Sequence, residues 1–171
     1  LDPVMLKDMG EIYFIDGRYE DAVSALEGSI GLDPGDPETL YLLGRSRTEL
    51  KRYPEAAEVL ERLLEKRPDY PGALYRLGEV YGKQGDLGSA HYFLGKHYAD
   101  REESQNAAFH LRQVLKHSND PVRRSEAEEM LREVREAEPK EKPEPVQRPR
   151  PTRNPSPPDF FNFDRNGKTA W

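Results

Sequence analysis

Four histidines and no cysteine are the side chains of this 171-residue sequence from which metal or acid–base chemistry would have to be built. His91 and His97 are six residues apart, which on one helix turns them to different faces, whereas His110 and His117, seven apart, can share one. Neither pair stands in a cluster of further ligands, so surface or structural roles are expected for all four, with no metal site. The sequence has no HExxH, no phosphate loop and no glycine-rich dinucleotide fingerprint. The lack of cysteine removes disulfides, thiol catalysis and cysteine-based zinc sites, and it fits a reducing compartment as well as a bacterial periplasm. Localisation therefore stays open between cytoplasm and periplasm. No catalytic residue and no cofactor is expected in these residues.

The elements that carry these side chains repeat. Displacing the sequence by 34 residues puts Pro3, Pro37 and Pro71 in register, with Gly10, Gly44 and Gly78, Ala22, Ala56 and Ala90, and Leu26, Leu60 and Leu94. Leu6, Leu40 and Leu74 align too, as do Met9, Leu43 and Leu77. Within each period apolar residues recur at helical spacing in two bursts of about 13 residues joined by a short polar connector, which predicts a helical hairpin. A glycine inside a helix costs about 1 kcal/mol relative to alanine, a cost tolerated where something approaches closely. The glycine and alanine columns thus predict hairpins with closely spaced axes, near the short end of the usual range of about 8 to 10 Å.

These columns resemble the tetratricopeptide repeat, a 34-residue helix-turn-helix unit with Leu-Gly, an aromatic, Ala and Pro at set offsets. The match reads Met9-Gly10, Tyr13, Ala22 and Pro34; Leu43-Gly44, Ala56 and Pro68; and Leu77-Gly78, Tyr81 and Ala90, over about residues 3 to 117. Arg47 stands where the aromatic of the second repeat is expected. The resemblance implies an all-α fold, a right-handed solenoid of antiparallel helix hairpins. The expected organisation is a repeat domain over 1–137 (repeats about 3–36, 37–70 and 71–104, then helices 103–117 and 121–137) and a proline-rich tail over 138–171.

The bulk composition suits such a stack. With 35% hydrophobic and 34% charged residues, the sequence is thin for one globular core but adequate for units that contact only their neighbours. No apolar run approaches the roughly 20 residues of a membrane span, and no signal-peptide pattern opens the chain. Beginning at Leu1, the sequence reads as a fragment or a processed product. Residues 138–171 hold seven Lys or Arg against five Asp or Glu, so the net charge of −6 divides into −8 on the repeat body and +2 on the tail. An acidic body argues against nucleic acid as a partner.

Helices are predicted near 3–15, 19–32, 37–50, 54–66, 71–84, 88–99, 103–117 and 121–137. Asp2-Pro3 and Asp36-Pro37 are start signals, the carboxylate accepting from an orphan N–H and the proline having none to leave unpaired. After residue 84, Leu94-Gly95, Tyr98, Ala107 and Leu111 reproduce the beginning of a repeat half a period beyond Leu77-Gly78. One helix then carries two roles. The last helix has a single apolar stripe of Ala127, Met130, Leu131 and Val134 among charged residues, the pattern of an end cap. From Pro139, eight prolines in twenty residues predict an extended or disordered segment, followed by Phe160, Phe161, Phe163 and Trp171, a candidate docking element. That element is expected to fold back into the groove of its own molecule or to join a second one, and the one PxxP of the proline-rich segment, Pro155 to Pro158, offers a weak ligand for aromatic-grooved domains.

In the family resembled, the first helix of each hairpin lines a concave groove. The resemblance implies groove positions at Lys7, Tyr41 and Tyr75, joined by Tyr92 if the half-period shift is real, and one turn on at Glu11, Arg45, Glu79 and Lys96. Tyrosines among charges of both signs suit an extended peptide or a helix, so the expected function is a scaffold for a protein or peptide partner. Family members that hold the carboxyl-terminal peptides of heat-shock chaperones use a clamp of Lys, Asn and Arg. Here no Asn precedes Asn106, which leaves Lys7 and Arg76 without the rest of the clamp. Residues 81 to 115 also resemble the repeat region that follows the catalytic domain of bacterial envelope zinc metalloproteases. That resemblance implies a substrate- or partner-binding region of such an enzyme, with the zinc site outside this sequence.

Overall fold

The computed structural model describes residues 1–137, and among these every regular element is helical. The helices are α1 (Pro3–Ile15), α2 (Tyr19–Leu32), α3 (Pro37–Glu49), α4 (Tyr53–Lys66), α5 (Ala73–Gln84), α6 (Leu87–Asp100), α7 (Ser104–His117) and α8 (Pro121–Ala137). Each packs against the next in the chain as an antiparallel hairpin. The proline-rich segment and the aromatic residues Phe160, Phe161, Phe163 and Trp171 lie outside the described residues.

The start signals act as the sequence predicts at α1 and α3, and Asp120 before Pro121 does the same at α8. Asp2 Oδ1 accepts from the Met5 amide at 2.8 Å, Asp36 Oδ2 from Thr39 at 3.0 Å, and Asp120 Oδ1 from Val122 at 2.9 Å. The third proline of the column departs from the pattern: α5 begins at Ala73, not at Pro71. Tyr70 stands where Asp2 and Asp36 stand, so no carboxylate is there to cap a helix beginning at Pro71. The chain instead turns through Gly72 at φ +80°, a backbone state that glycine enters without steric cost.

The glycine column sets the hairpin spacing. A Cβ on Gly10 would lie 2.5 Å from Leu26 Cγ, one on Gly44 2.7 Å from Leu60 Cγ, and one on Gly78 2.6 Å from Leu94 Cγ. The close approach is therefore a leucine side chain of the second helix seated on the bare backbone of the first. The backbone of the alanine column comes next, with Ala22 O at 3.4 Å from the Gly10 position and Ala90 O at 3.3 Å from that of Gly78. Leu26 and Leu60 are wholly buried, as are Leu40, Leu63, Leu77 and Leu111 in the same core.

The same device appears half a period later. A Cβ on Gly95 would lie 2.8 Å from Leu111 Cδ2, so α6 offers Leu94 to α5 on one side and Gly95 to α7 on the other. It is the second helix of one hairpin and the first of the next. From there α8 lies beside α6 as α3 lies beside α1. Two side-chain contacts from α6 to α8, Tyr92 with Glu126 and Ser89 with Arg123, each span 34 residues, one full period.

The connectors follow the repeat as well. Gly17, Lys51 and Gly85, one period apart, all have positive φ, and Glu102, half a period on, has φ +59°. Lys51, at φ +60°, bears the left-handed conformation with a Cβ, which costs about 1 to 2 kcal/mol. Lys51→Gly is expected to raise stability by up to about 1 kcal/mol once the entropy lost by glycine is counted. A chemical denaturation midpoint that falls on this substitution would contradict the assignment.

Candidate protein-binding surface

Six of the sequence-predicted groove residues, Lys7, Glu11, Tyr41, Arg45, Tyr75 and Glu79, lie on α1, α3 and α5. Each of α1, α3 and α5 seats its column glycine against its hairpin partner, and the residue that follows its first apolar position by one is Lys7, Tyr41 and Tyr75 respectively. Tyr75 is 40% exposed, with its ring edge-on to His97 of α6 at a centroid distance of 5.4 Å. Tyr41 is half-buried, leaning on Tyr70 at 5.2 Å. Its phenol oxygen comes within 3.0 Å of where a Cβ on Gly72 would stand, a second reason for glycine there. The Arg45 guanidinium lies over Phe14 at 4.4 Å and near Tyr41 at 5.8 Å, bridging α1 and α3.

The charges of this row are largely engaged with one another. Lys7 Nζ donates to Glu38 at 2.6 Å, and Arg76 pairs with Glu79 at 2.8 Å. Glu11 is exposed. What the row offers a visitor is thus aromatic surface, the arginine plane and the outer sides of ion pairs, a chemistry suited to a mixed polar and apolar peptide.

Tyr92 and Lys96 do not continue that row. Tyr92 is 8% exposed and lies with Lys96 at the lining of a recess of about 480 Å³ formed by α4, α6 and α8 with Leu74 of α5, together with Glu61, Leu64, Phe93 and Glu126. The Tyr92 hydroxyl donates to Glu126, Lys96 Nζ lies 5.4 Å from the Tyr92 ring centroid, and the Arg123 guanidinium faces Tyr81, Tyr92 and Phe93 at 5.6 to 5.9 Å. The half-period shift explains the separation: when α6 becomes a first helix, the face it turns to its new neighbour α8 is covered.

Burial, followed by donation to Glu61 at 2.6 Å, pushes the Tyr81 phenol up to about 12. Burial and Glu126 drive that of Tyr92 upward as well. Folded pKa values above the ordinary 10 mean that the native state keeps protons the unfolded chain loses. The stabilisation is fully present below pH 10 and is lost as pH rises from 10 through 12. Native protein at pH 11 is expected to show phenolate absorbance from fewer tyrosines than denatured protein at the same pH, and equal absorbance would refute the two buried phenols.

Sequence spacing missed one cluster. His91 of α6 and His110 of α7 face each other with Nδ1 atoms 2.9 Å apart, and the His117 ring lies 6.0 Å from that of His91. Burial, with smaller repulsion from neighbouring imidazoles, holds both His91 and His110 below the usual histidine range. Pairs taken within one helix do not reveal this; the hairpin register that seats Leu111 on Gly95 does. Among the described residues no group of three or more His, Cys, Asp or Glu is gathered so as to hold a metal ion. None of the described helices is long and apolar enough to cross a membrane.

Helix hairpins that recur at one fixed step, each closed by leucine on glycine, define an all-α repeat protein. The family model described as tetratricopeptide repeat matches residues 13–77 and 47–97, and the chain belongs to that family. Solved structures share the fold. MamA aligns with a TM-score of 0.57 at 22% identity, covering 78% of this chain and 77% of that one. PcrH in complex with the chaperone binding region of PopD gives 0.51 at 20% identity, covering 77% and 90%. The first repeat domain of Spaghetti bound to an HSP90 peptide gives 0.50 at 20% identity, covering 80% and 92%. No curated protein matches the chain, no enzyme family is found, and nothing supports the resemblance to envelope metalloproteases.

Proposed function

We propose that residues 1–137 form one interaction domain, a right-handed solenoid that holds an extended peptide or a helix of a protein partner along the concave side of α1, α3 and α5. The observation that carries this reading is the row of Tyr41, Arg45 and Tyr75 on successive first helices, with Tyr75 40% exposed. The fold is also that of proteins solved with peptide partners, PcrH with a region of PopD and Spaghetti with an HSP90 peptide. Lys7 held by Glu38 and Arg76 held by Glu79 favour a peptide of mixed character over one anchored by a terminal carboxylate. In this scheme α8, which buries Ala127 and Leu131 and is charged elsewhere, closes the stack.

The test is a selection of random peptides on the full chain, followed by measurement of the winners against Tyr41 and Tyr75 variants. Recovery of peptides whose affinity depends on these tyrosines supports the groove. Peptides whose affinity is indifferent to both would overturn it.

A further inference from the structure

The three-histidine cluster between α6 and α7 lies apart from the tyrosine row, and nothing in the peptide-binding reading uses it. We propose that His91 and His110 form a two-histidine binding site for a borderline divalent transition metal such as zinc, nickel or copper, with water completing the coordination.

The geometry carries the proposal. Two imidazole nitrogens on different helices already converge, Nδ1 to Nδ1, at 2.9 Å. With each nitrogen at the usual distance from zinc, about 2.0 to 2.1 Å, that separation subtends about 90° at the ion, and opening it to about 3.3 Å gives a tetrahedral angle. The metal-free contact requires a single proton between the two nitrogens. Moving that proton to Nε2 of the same ring frees both lone pairs without changing the charge of either histidine. Imidazole suits zinc, nickel and copper, whereas magnesium and calcium prefer oxygen.

Both rings pack against aromatic neighbours. Tyr98 stacks on His110 at 5.3 Å and 12°, and Phe109 meets His91 edge-on at 6.3 Å and 84°. His91 and His110 are half-buried and His117 is exposed, so an ion has a path from solvent and water can complete its coordination. The pair joins α6 to α7, so a bound ion would clamp the hairpin that begins the shifted register.

The experiment uses the full chain without an affinity tag, stripped with chelator and then given Ni²⁺ or Zn²⁺ alone. At a free metal concentration tenfold above Kd, the melting temperature is expected to rise by about 5 °C. The rise should disappear in His91→Ala and in His110→Ala and persist in His97→Ala. His91→Phe keeps a ring in the packing and serves if the alanine variants fold poorly. Ni²⁺ should also selectively broaden the ring-proton signals of His91 and His110 in wild-type protein. No binding by wild type, or binding unchanged in both the His91 and His110 variants, overturns the proposal.

Discussion

A chain with alanine at both Tyr41 and Tyr75 is expected to bind a peptide selected on the wild type on the order of 30-fold more weakly. Tyrosines at the centre of an interface commonly contribute about 1 to 2 kcal/mol each when truncated. Two such losses, less some non-additivity, give about 2 kcal/mol, which is about a 30-fold change in Kd. The structural cost should be smaller. Tyr75 is 40% exposed and meets His97 along one edge, so its removal opens no core cavity. Tyr41 gives up its contact with Tyr70 and its place near Arg45, a loss at the half-buried surface. The contrast is Tyr92→Ala, which removes a buried ring, leaves Glu126 without the phenol that donates to it and takes from Arg123 one of the three rings it faces. That variant is expected to lose stability by about 3 kcal/mol or more. Calorimetric titration beside thermal melting separates the two cases, and a double variant that melts far earlier while still binding would reverse the assignment of roles.

Gly44→Val is expected to destabilise the protein by about 3 kcal/mol or more, close to a third or a half of what holds an ordinary domain together. A Cβ there would stand 2.7 Å from both Cγ and Cδ2 of Leu60. Leu60 is wholly buried and cannot turn aside without displacing the core around it. Alanine at the same place regains about 1 kcal/mol of helix propensity, so Gly44→Ala should cost less, about 1 to 2 kcal/mol. Gly31, also helical, has no atom within 4 Å of its would-be Cβ, and Gly31→Ala should stabilise the protein by about 0.5 kcal/mol. Opposite signs for the same substitution at two helical glycines would show that the spacing between helices, not glycine's flexibility, explains the column. Equal signs would refute it.

Where repetition specified the structure, the sequence was legible. The eight helices fall close to their predicted ranges because apolar period, connectors and aspartate caps all point to the same limits. The exception at Pro71 shows which signal dominates: without an aspartate before it, the proline does not begin the helix. The glycine column announced a close approach, but its partner is the leucine one helix away, a contact that needs hairpin register as well as spacing. Lys7, Tyr41, Tyr75 and their companions one turn on occupy equivalent repeat positions, which the 34-residue step alone defines. Tyr92 and Lys96 could not be placed by that step, because their surroundings come from α8, whose Arg123 and Glu126 lie a full period further along the chain. The His91–His110 contact was hidden for a related reason: the residues meet only once α6 starts a new hairpin.

The peptide-binding function depends on a partner chain lying along the row carried by α1, α3 and α5. Amide shifts of the full chain, recorded by NMR with and without a selected peptide, show where that partner sits. Perturbations are expected to concentrate around Tyr41 to Arg45 and Tyr75 to Glu79, with weaker ones near Lys7 to Glu11 and none along α7. Perturbations confined to the recess between α4, α6 and α8, with the tyrosine row silent, would contradict the groove.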